Sequence, residues 1–328
     1  MRIAPQTLLR ALFGIAVSFV AVLIVLRSVD PVRTAEVLRM ASPAWLAIVG
    51  GLVALDIGLR AVRWRRLLAP IRRVGSLAVL DYLLIGYLAN NVLPARLGEL
   101  VRCHFLGDRE GISRTTVVGT VVVERVVDLA VVVGIAAGAV LVLSIRGLVA
   151  SAVVVGAAVG TLLVVALALG VAAHRLPGAK WVGGLVAAWP RVGDAVRKLR
   201  LGLAVAANPR TLLEVVALSL LAWTAALLAF AAAGQALGVE LAISQAALLA
   251  TGVTLVAAIP TGPASVGTFE LASIQFGAAF GIETERALAL GIIVHVAIFL
   301  LTSVGGVVAL IRVGPMRAIQ GTDTGRVA

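Results

Sequence analysis

The chain has 328 residues, of which 61% are hydrophobic and 13% charged, with a mean hydropathy of +1.09 and a net charge of +12. That composition excludes an ordinary water-soluble domain. The longest weakly apolar stretch, His174 to Arg210, is too short for a separate extramembrane catalytic domain, and the positive charge reads as loops facing anionic lipid, not as a nucleic-acid surface.

In chain order, the first long apolar run is Leu8 to Leu26. Arg2 and Arg10 precede or enter it and no small-x-small cleavage site follows, so it is read as a span and not as a signal peptide. Pro43 to Leu59 is the second predicted span. Leu77 to Leu106 is apolar but interrupted by Asn90, Asn91 and Pro94. Thr115 to Leu143, Leu148 to Ala173 and Leu212 to Ala233 again read as full spans. Ile243 to Phe280 is interrupted by Pro260, Gly262 and Pro263, and Ala287 to Ile311 closes the series. Broken backbone at membrane depth is tolerated only where protein or a water-filled cavity satisfies it. The expected fold is an all-α polytopic membrane protein of about six full transmembrane helices plus two oppositely oriented re-entrant helical hairpins. Residues 1–312 are expected to form one integral membrane domain and residues 313–328 a disordered cytoplasmic tail.

Treating both interrupted stretches as re-entrant puts the clusters Arg60–Arg73, Arg96–Arg114 and Arg175–Arg210 on one side, which the positive-inside rule makes cytoplasmic, along with both termini. Three full spans then separate the hairpins, so they dip from opposite sides. The two breaks also look alike: Pro94-Ala95-x-x-Gly98-Glu99 in the first and Pro263-Ala264-x-x-Gly267-Thr268-Phe269-Glu270 in the second. Together these features predict an inverted repeat with units at about 43–143 and 211–311. Many transporters place a substrate site where such interrupted helices meet. Pro94 and Pro263 suit the first turn of the second half-helices, whose free amides would suit a phosphate.

Charged residues in apolar surroundings supply the candidate site. Arg96, Glu99 and Arg102 recur every three positions, so the carboxylate is expected to pair with the guanidiniums and leave donors for a lipid phosphate; a solvated face is the plainer reading. Glu124, Arg125 and Asp128 lie inside a run of Val, Ala and Gly, where charge usually faces a cavity or a partner. Arg125 is spaced to neutralise Asp128, and a helix–helix staple is the alternative. Glu270 is the expected counterpart of Glu99. His295, in the last span, reads first as a satisfied buried histidine and second as a proton relay. Asp56 and Arg60 look like an ordinary i,i+4 pair, and Trp45 and Trp64 like anchors at opposite interfaces.

Several chemistries are missing. Cys103 is the only cysteine, the histidines have no zinc spacing, and there is neither G-x-x-x-x-G-K-[ST] nor His-Glu-x-x-His, so no metal, no cofactor and no ATP hydrolysis are expected. Ser265 with His295 lacks the Gly-x-Ser-x-Gly setting of a hydrolase nucleophile.

Asn90-Asn91-Val-Leu-Pro94-Ala95-Arg96-Leu-Gly98-Glu99-Leu-Val-Arg102, then Gly111-Ile112-Ser113 and Val123-Glu124-Arg125-Val-Val-Asp128-Leu129, resemble the signature of the lysylphosphatidylglycerol synthase transmembrane-region family, or flippase-like domain proteins. Pro260 to Glu270, with Gly267, is similar to its second signature, although the family commonly has Gly-Gly where this chain has Ala264-Ser265. The resemblance implies a stand-alone lipid translocase of a bacterial cytoplasmic (inner) membrane, without the aminoacyl-transferase domain of bifunctional relatives. Its cargo would be an anionic phospholipid, a hopanoid or a polyprenyl-phosphate-linked lipid, with a separately encoded lipid synthase or glycosyltransferase as a further partner. An intramembrane lipid-modifying enzyme using Glu124 or Asp128 as base, or a scaffold, is the alternative. The sequence does not specify an oligomeric state.

Overall fold

The computed structural model describes residues 5–93, 97–144, 190–257 and 262–314, with side chains from residue 15, and a few helical positions between 155 and 162. Pro94, Arg96 and Pro260, most of the expected span Leu148 to Ala173, and the tail beyond Gly314 lie outside the described residues.

The described residues form helices and no strands. They are α1 (Pro5–Ser28), α2 (Pro31–Arg39), α3 (Pro43–Leu68), α4 (Ser76–Val92), α5 (Gly98–Glu110), α6 (Arg114–Leu143), α7 (Pro190–Leu203), α8 (Pro209–Ala236), α9 (Ile243–Ala257), α10 (Thr268–Ala279) and α11 (Thr284–Val313). Several starts are written locally. Pro31 and Pro209 occupy first turns, where the missing amide costs nothing. The side chains of Asp30 and Asn208 accept the exposed amides, from Val32 at 2.8 Å and from Arg210 at 3.0 Å.

Four helices, α3, α6, α8 and α11, are long and apolar enough to cross a bilayer. The apolar part of α1 and all of α2 make a fifth such element, bent by 85° between them. The outward side of α11 carries Val296, Phe299, Leu300, Val304, Val307 and Ile311, all exposed. A water-soluble protein would not keep such a stripe on its surface, whereas lipid matches it. The protein is a polytopic all-α membrane protein.

By contrast, α4 has 17 residues and α5 13, so at about 1.5 Å per residue neither fills a 30 Å hydrocarbon core. The chain reverses between them. Asn90 accepts the Gly98 amide at 2.8 Å, Arg102 lies beside Gly86, and Tyr82 donates to Glu110 at 3.0 Å, the register of an antiparallel hairpin. The helices touch backbone to backbone, since a Cβ on Gly98 would lie 2.0 Å from the Gly86 carbonyl oxygen. In the second half α9 and α10 repeat the reversal, with Gly252 against the Phe276 ring and Phe280 packed beside Ala247 and Leu248.

Helices beginning at residues 43, 76, 98 and 114 therefore have counterparts beginning at 209, 243, 268 and 284. Packing obeys the same pairing: α4 lies on α11 as α9 lies on α6, and α3 touches α11 as α8 touches α6. The central seam is α3 against α8, antiparallel along its length. Ser42 donates its amide to the Ala236 carbonyl at 2.9 Å at one end, and Arg66 meets Glu214 at 3.6 Å at the other. Small residues, Ala225, Ala229, Ala232 and Ala233, let the helices approach closely, as expected where lipid gives no hydrophobic drive.

A Cβ on Gly134 or Gly138 of α6 would meet nothing within 4 Å among the described residues. The tight crossing on α6 is at Gly119, against Gly202 of α7, where added methyl groups would meet backbone. Trp64 is no interfacial anchor. It is fully buried and donates to Thr120 Oγ1 at 3.3 Å, because its helix face turns inward toward α6.

Candidate functional site

A cavity of about 830 Å³ lies between the two halves, lined by α3, α4, α5, α6, α8, α9, α10, α11 and the residues of the second break. Its wall is mostly apolar, with charge confined to Asp56, Arg60, Glu99, Arg125 and Asp128. That is the usual composition of a ligand pocket.

The charge is arranged by helix periodicity. Asp56, Arg60 and Arg63 share one face of α3, and Glu124 and Asp128 one face of α6. Asp128 sits at the centre. It accepts from both terminal nitrogens of Arg63, one of them Nη2 at 3.0 Å, from Arg60 Nη1 at 3.3 Å and from the Trp223 indole at 3.2 Å. Arg63, wholly buried, also donates to Ser219 Oγ at 2.8 Å and lies 3.1 Å from Glu124 Oε1. Glu124 in turn accepts from Arg102 Nη2 at 3.2 Å. The two guanidiniums nearest aromatic rings are placed over them, Arg102 4.6 Å from the centre of Trp64 and Arg60 5.2 Å from that of Trp223. Arg60 Nε holds Asp56 at 2.8 and 2.9 Å. Arg125, half exposed, meets Glu99 at 2.6 Å on the cavity wall.

Four arginines thus face four carboxylates. Burial of unpaired charge is prohibitive, and the matched set offsets part of that cost.

Of the residues singled out from sequence, Asn90, Asn91, Glu99, Arg125 and Asp128 line the cavity. Asn91 of α4 donates to Thr302 and Ser303 of α11, each at 2.9 Å. Arg102 and Glu124 do not line it. They are buried behind it as partners of each other, because Arg102 projects from the side of α5 that faces Trp64. Two expected pairings differ as well: Glu99 meets Arg125 rather than Arg102, and Asp128 is neutralised from α3 rather than by Arg125. The Asp56–Arg60 pair exists but belongs to the cavity wall. Arg63, Ser219 and Trp223 were not anticipated. The spacing Asp56, Arg60, Arg63 on one helix face was the available signal, hidden in a run of basic residues that reads as a loop.

At the second break, Pro263 starts a short 3₁₀ turn, Pro263–Ser265, rather than α10 itself. Gly267 precedes α10 at φ 85°, and its amide donates to Glu270 Oε2 at 2.7 Å. At the first break the Gly98 amide is likewise taken by Asn90. One amide at each of these helix starts is therefore capped by the chain's own side chain. Ala264 and Ser265 hold φ of 53° and 59°, the left-handed region, which costs a residue with a Cβ about 1–2 kcal/mol. Glu270, the counterpart of Glu99 in the second hairpin, meets a histidine. Its Oε1 lies 2.5 Å from His295 Nδ1, and His295 Nε2 lies 2.9 Å from the Ala264 carbonyl oxygen.

No solved structure matches the chain. A 132-residue segment, 39% of this chain, is 30% identical to the protein named Glycosyltransferase AglD from Haloferax volcanii, and it covers 21% of that protein's length. Residues 11–306 match the family described as Lysylphosphatidylglycerol synthase TM region, and this span takes in both hairpins, the cavity and the arginine–carboxylate cluster. The chain belongs to the lysylphosphatidylglycerol synthase transmembrane-region family.

Proposed function

We propose that the protein moves a lipid between bilayer leaflets, passing a charged headgroup through the cavity between its two antiparallel halves. One observation carries the reading. A large pocket, apolar over most of its wall, holds its charge in balanced pairs where two broken helices meet. An apolar wall suits acyl or prenyl chains, and the half-exposed Arg125–Glu99 pair suits exchange with an anionic or lipid-linked headgroup. In this reading the units 43–143 and 211–311 are an inverted repeat, each hairpin enters from its own side, and the site opens to either face. The sequence has no nucleotide motif, so the energy would come from the lipid gradient or an ion gradient.

We further place the protein in a bacterial inner membrane. The arginine-rich end, marked by Arg66–Glu214, Arg72–Glu110, Arg114–Asp108 and Arg312–Asp81, is then cytoplasmic, and the Arg33–Glu283 end external. The relative's name favours a second reading at the same site, in which the cargo is a lipid-linked glycan and the partner a glycosyltransferase.

The test is a leaflet-resolved assay in proteoliposomes with anionic, zwitterionic and polyprenyl-phosphate lipids, and lipid masses recorded before and after. Movement of one class at constant mass is expected, reduced about tenfold or more by Arg125→Ala. A mass change would replace the transporter with a lipid-modifying enzyme. Undiminished movement in the variant would remove the Arg125–Glu99 pair from the path.

A further inference from the structure

His295 is buried, and the Phe269 ring stacks on it at 4.4 Å, so its imidazole has a defined plane. Both of its nitrogens face acceptors: Glu270 Oε1 at 2.5 Å and the Ala264 carbonyl at 2.9 Å. A carbonyl only accepts, and so does an ionised carboxylate. A neutral imidazole has one N–H to give. Both contacts are hydrogen bonds only when the pair holds one further proton, as imidazolium with carboxylate or as imidazole with carboxylic acid. Glu270 Oε2 meanwhile accepts the Gly267 amide at 2.7 Å. The pair therefore grips both ends of the turn from Ala264 to Gly267, which is left-handed at Ala264, Ser265 and Gly267. Ala264 and Ser265 line the cavity.

Among the described side chains, the charged or titratable groups on the packed elements are Arg27 on α1; Arg33, Glu36 and Arg39 on α2, with Asp30 at its cap; Asp56 and Arg60 on the facing part of α3; Asp81, Tyr82 and Tyr87 on α4; and Arg210 and Glu214 on α8. On α11 itself they are Glu285, Arg286 and Arg312, with Glu283 at its cap, and α9 has none. Among the described residues, none of these makes an ion pair or hydrogen bond with Glu270 or His295.

We propose that Glu270 and His295 form a proton-binding site that latches the 264–267 turn onto the cavity wall and frees it when the proton leaves. The step balances simply. The proton on Nε2 passes to water in the cavity, its bond to the Ala264 carbonyl breaks, the Nδ1 proton stays between imidazole and carboxylate, and the pair goes from neutral to singly negative. Coupling of that proton to lipid movement rests on the function proposed above; the latch itself does not.

A nitroxide on Val266→Cys, in the full-length Cys103→Ser background in nanodiscs, reads the mobility of the turn, because Val266 is half exposed and sits inside it. Mobility is expected to rise in a single one-proton step as the pH is raised. The two variants should become fixed in opposite states. His295→Leu, which removes the donor, is mobile at every pH. In Glu270→Gln the amide can donate to Nδ1, which leaves Nε2–H on Ala264, and the turn stays immobile through the wild-type transition. A flat wild-type profile, or a step that survives in Glu270→Gln, overturns the proposal. If His295→Leu does not fold, Glu270→Gln decides alone. A mobility step in a protein that moves no lipid keeps the proton site and discards the transport reading; lipid movement with a flat profile does the reverse.

Discussion

The two halves share a skeleton and divide the chemistry. The first concentrates charge: Arg60, Arg63, Arg102 and Arg125 are matched by Asp56, Glu99, Glu124 and Asp128, and its hairpin closes backbone on backbone at Gly86 and Gly98. Among the described residues, the second has a part-buried ionisable pair, Glu270 and His295, a turn held in a costly conformation, and a hairpin closed by a glycine against an aromatic ring. The helix lengths and the order of contacts match between the halves, whereas the residues that line the cavity do not.

That contrast can be broken most forcefully at Arg63. Arg63→Ala should lower stability by about 3–5 kcal/mol, since it strips Asp128 of its bidentate partner and Glu124 of one of two guanidiniums; thermal unfolding in detergent measures it. No single charge substitution in the second half should match that loss. The hairpins supply the next test. Gly98→Ala forces a methyl group onto the Gly86 carbonyl and should cost about 1–3 kcal/mol. Gly252→Ala should cost less, because the Phe276 ring can turn aside where a backbone cannot. Equal losses would mean the two closures are mechanically alike. The smallest effect has the opposite sign. Ala264→Gly should raise stability by up to about 1 kcal/mol by removing a left-handed Cβ, and a loss instead would show that the turn is not strained as its backbone suggests.

Much of this architecture was legible in the sequence. Apolar runs gave α3, α6, α8 and α11, and the prolines and asparagines inside two other runs marked both reversals. The shared Pro-Ala-x-x-Gly pattern pointed to the same pairing that the helix contacts display. Side-chain partnership was harder to read. Spacing along α5 and α6 relates Arg102 to Glu99 and Arg125 to Asp128, but the actual partners come from neighbouring helices, and the choice depends on rotations that helical periodicity alone does not fix. Arg63 was hidden for a related reason. In a run with Arg60, Arg65 and Arg66, hydropathy averages over the helix and places the whole group in solvent, although one of its faces is buried. The roles of Pro263 and Gly267 were displaced for a third reason: a 3₁₀ turn separates the proline from α10, and only backbone angles show it.

The sharing of Asp128 by residues distant in the chain also bears on how the protein is made. Arg63 precedes Asp128 by 65 residues and Ser219 by 156. At roughly 5–20 residues per second, Arg63 leaves the ribosome about 3–13 seconds before its carboxylate. In that interval its long side chain must reach for the membrane surface, so α3 settles at its final depth only after α6 has entered, and its guanidinium gains its last partner only with α8. Insertion of the first half is thus completed by the second.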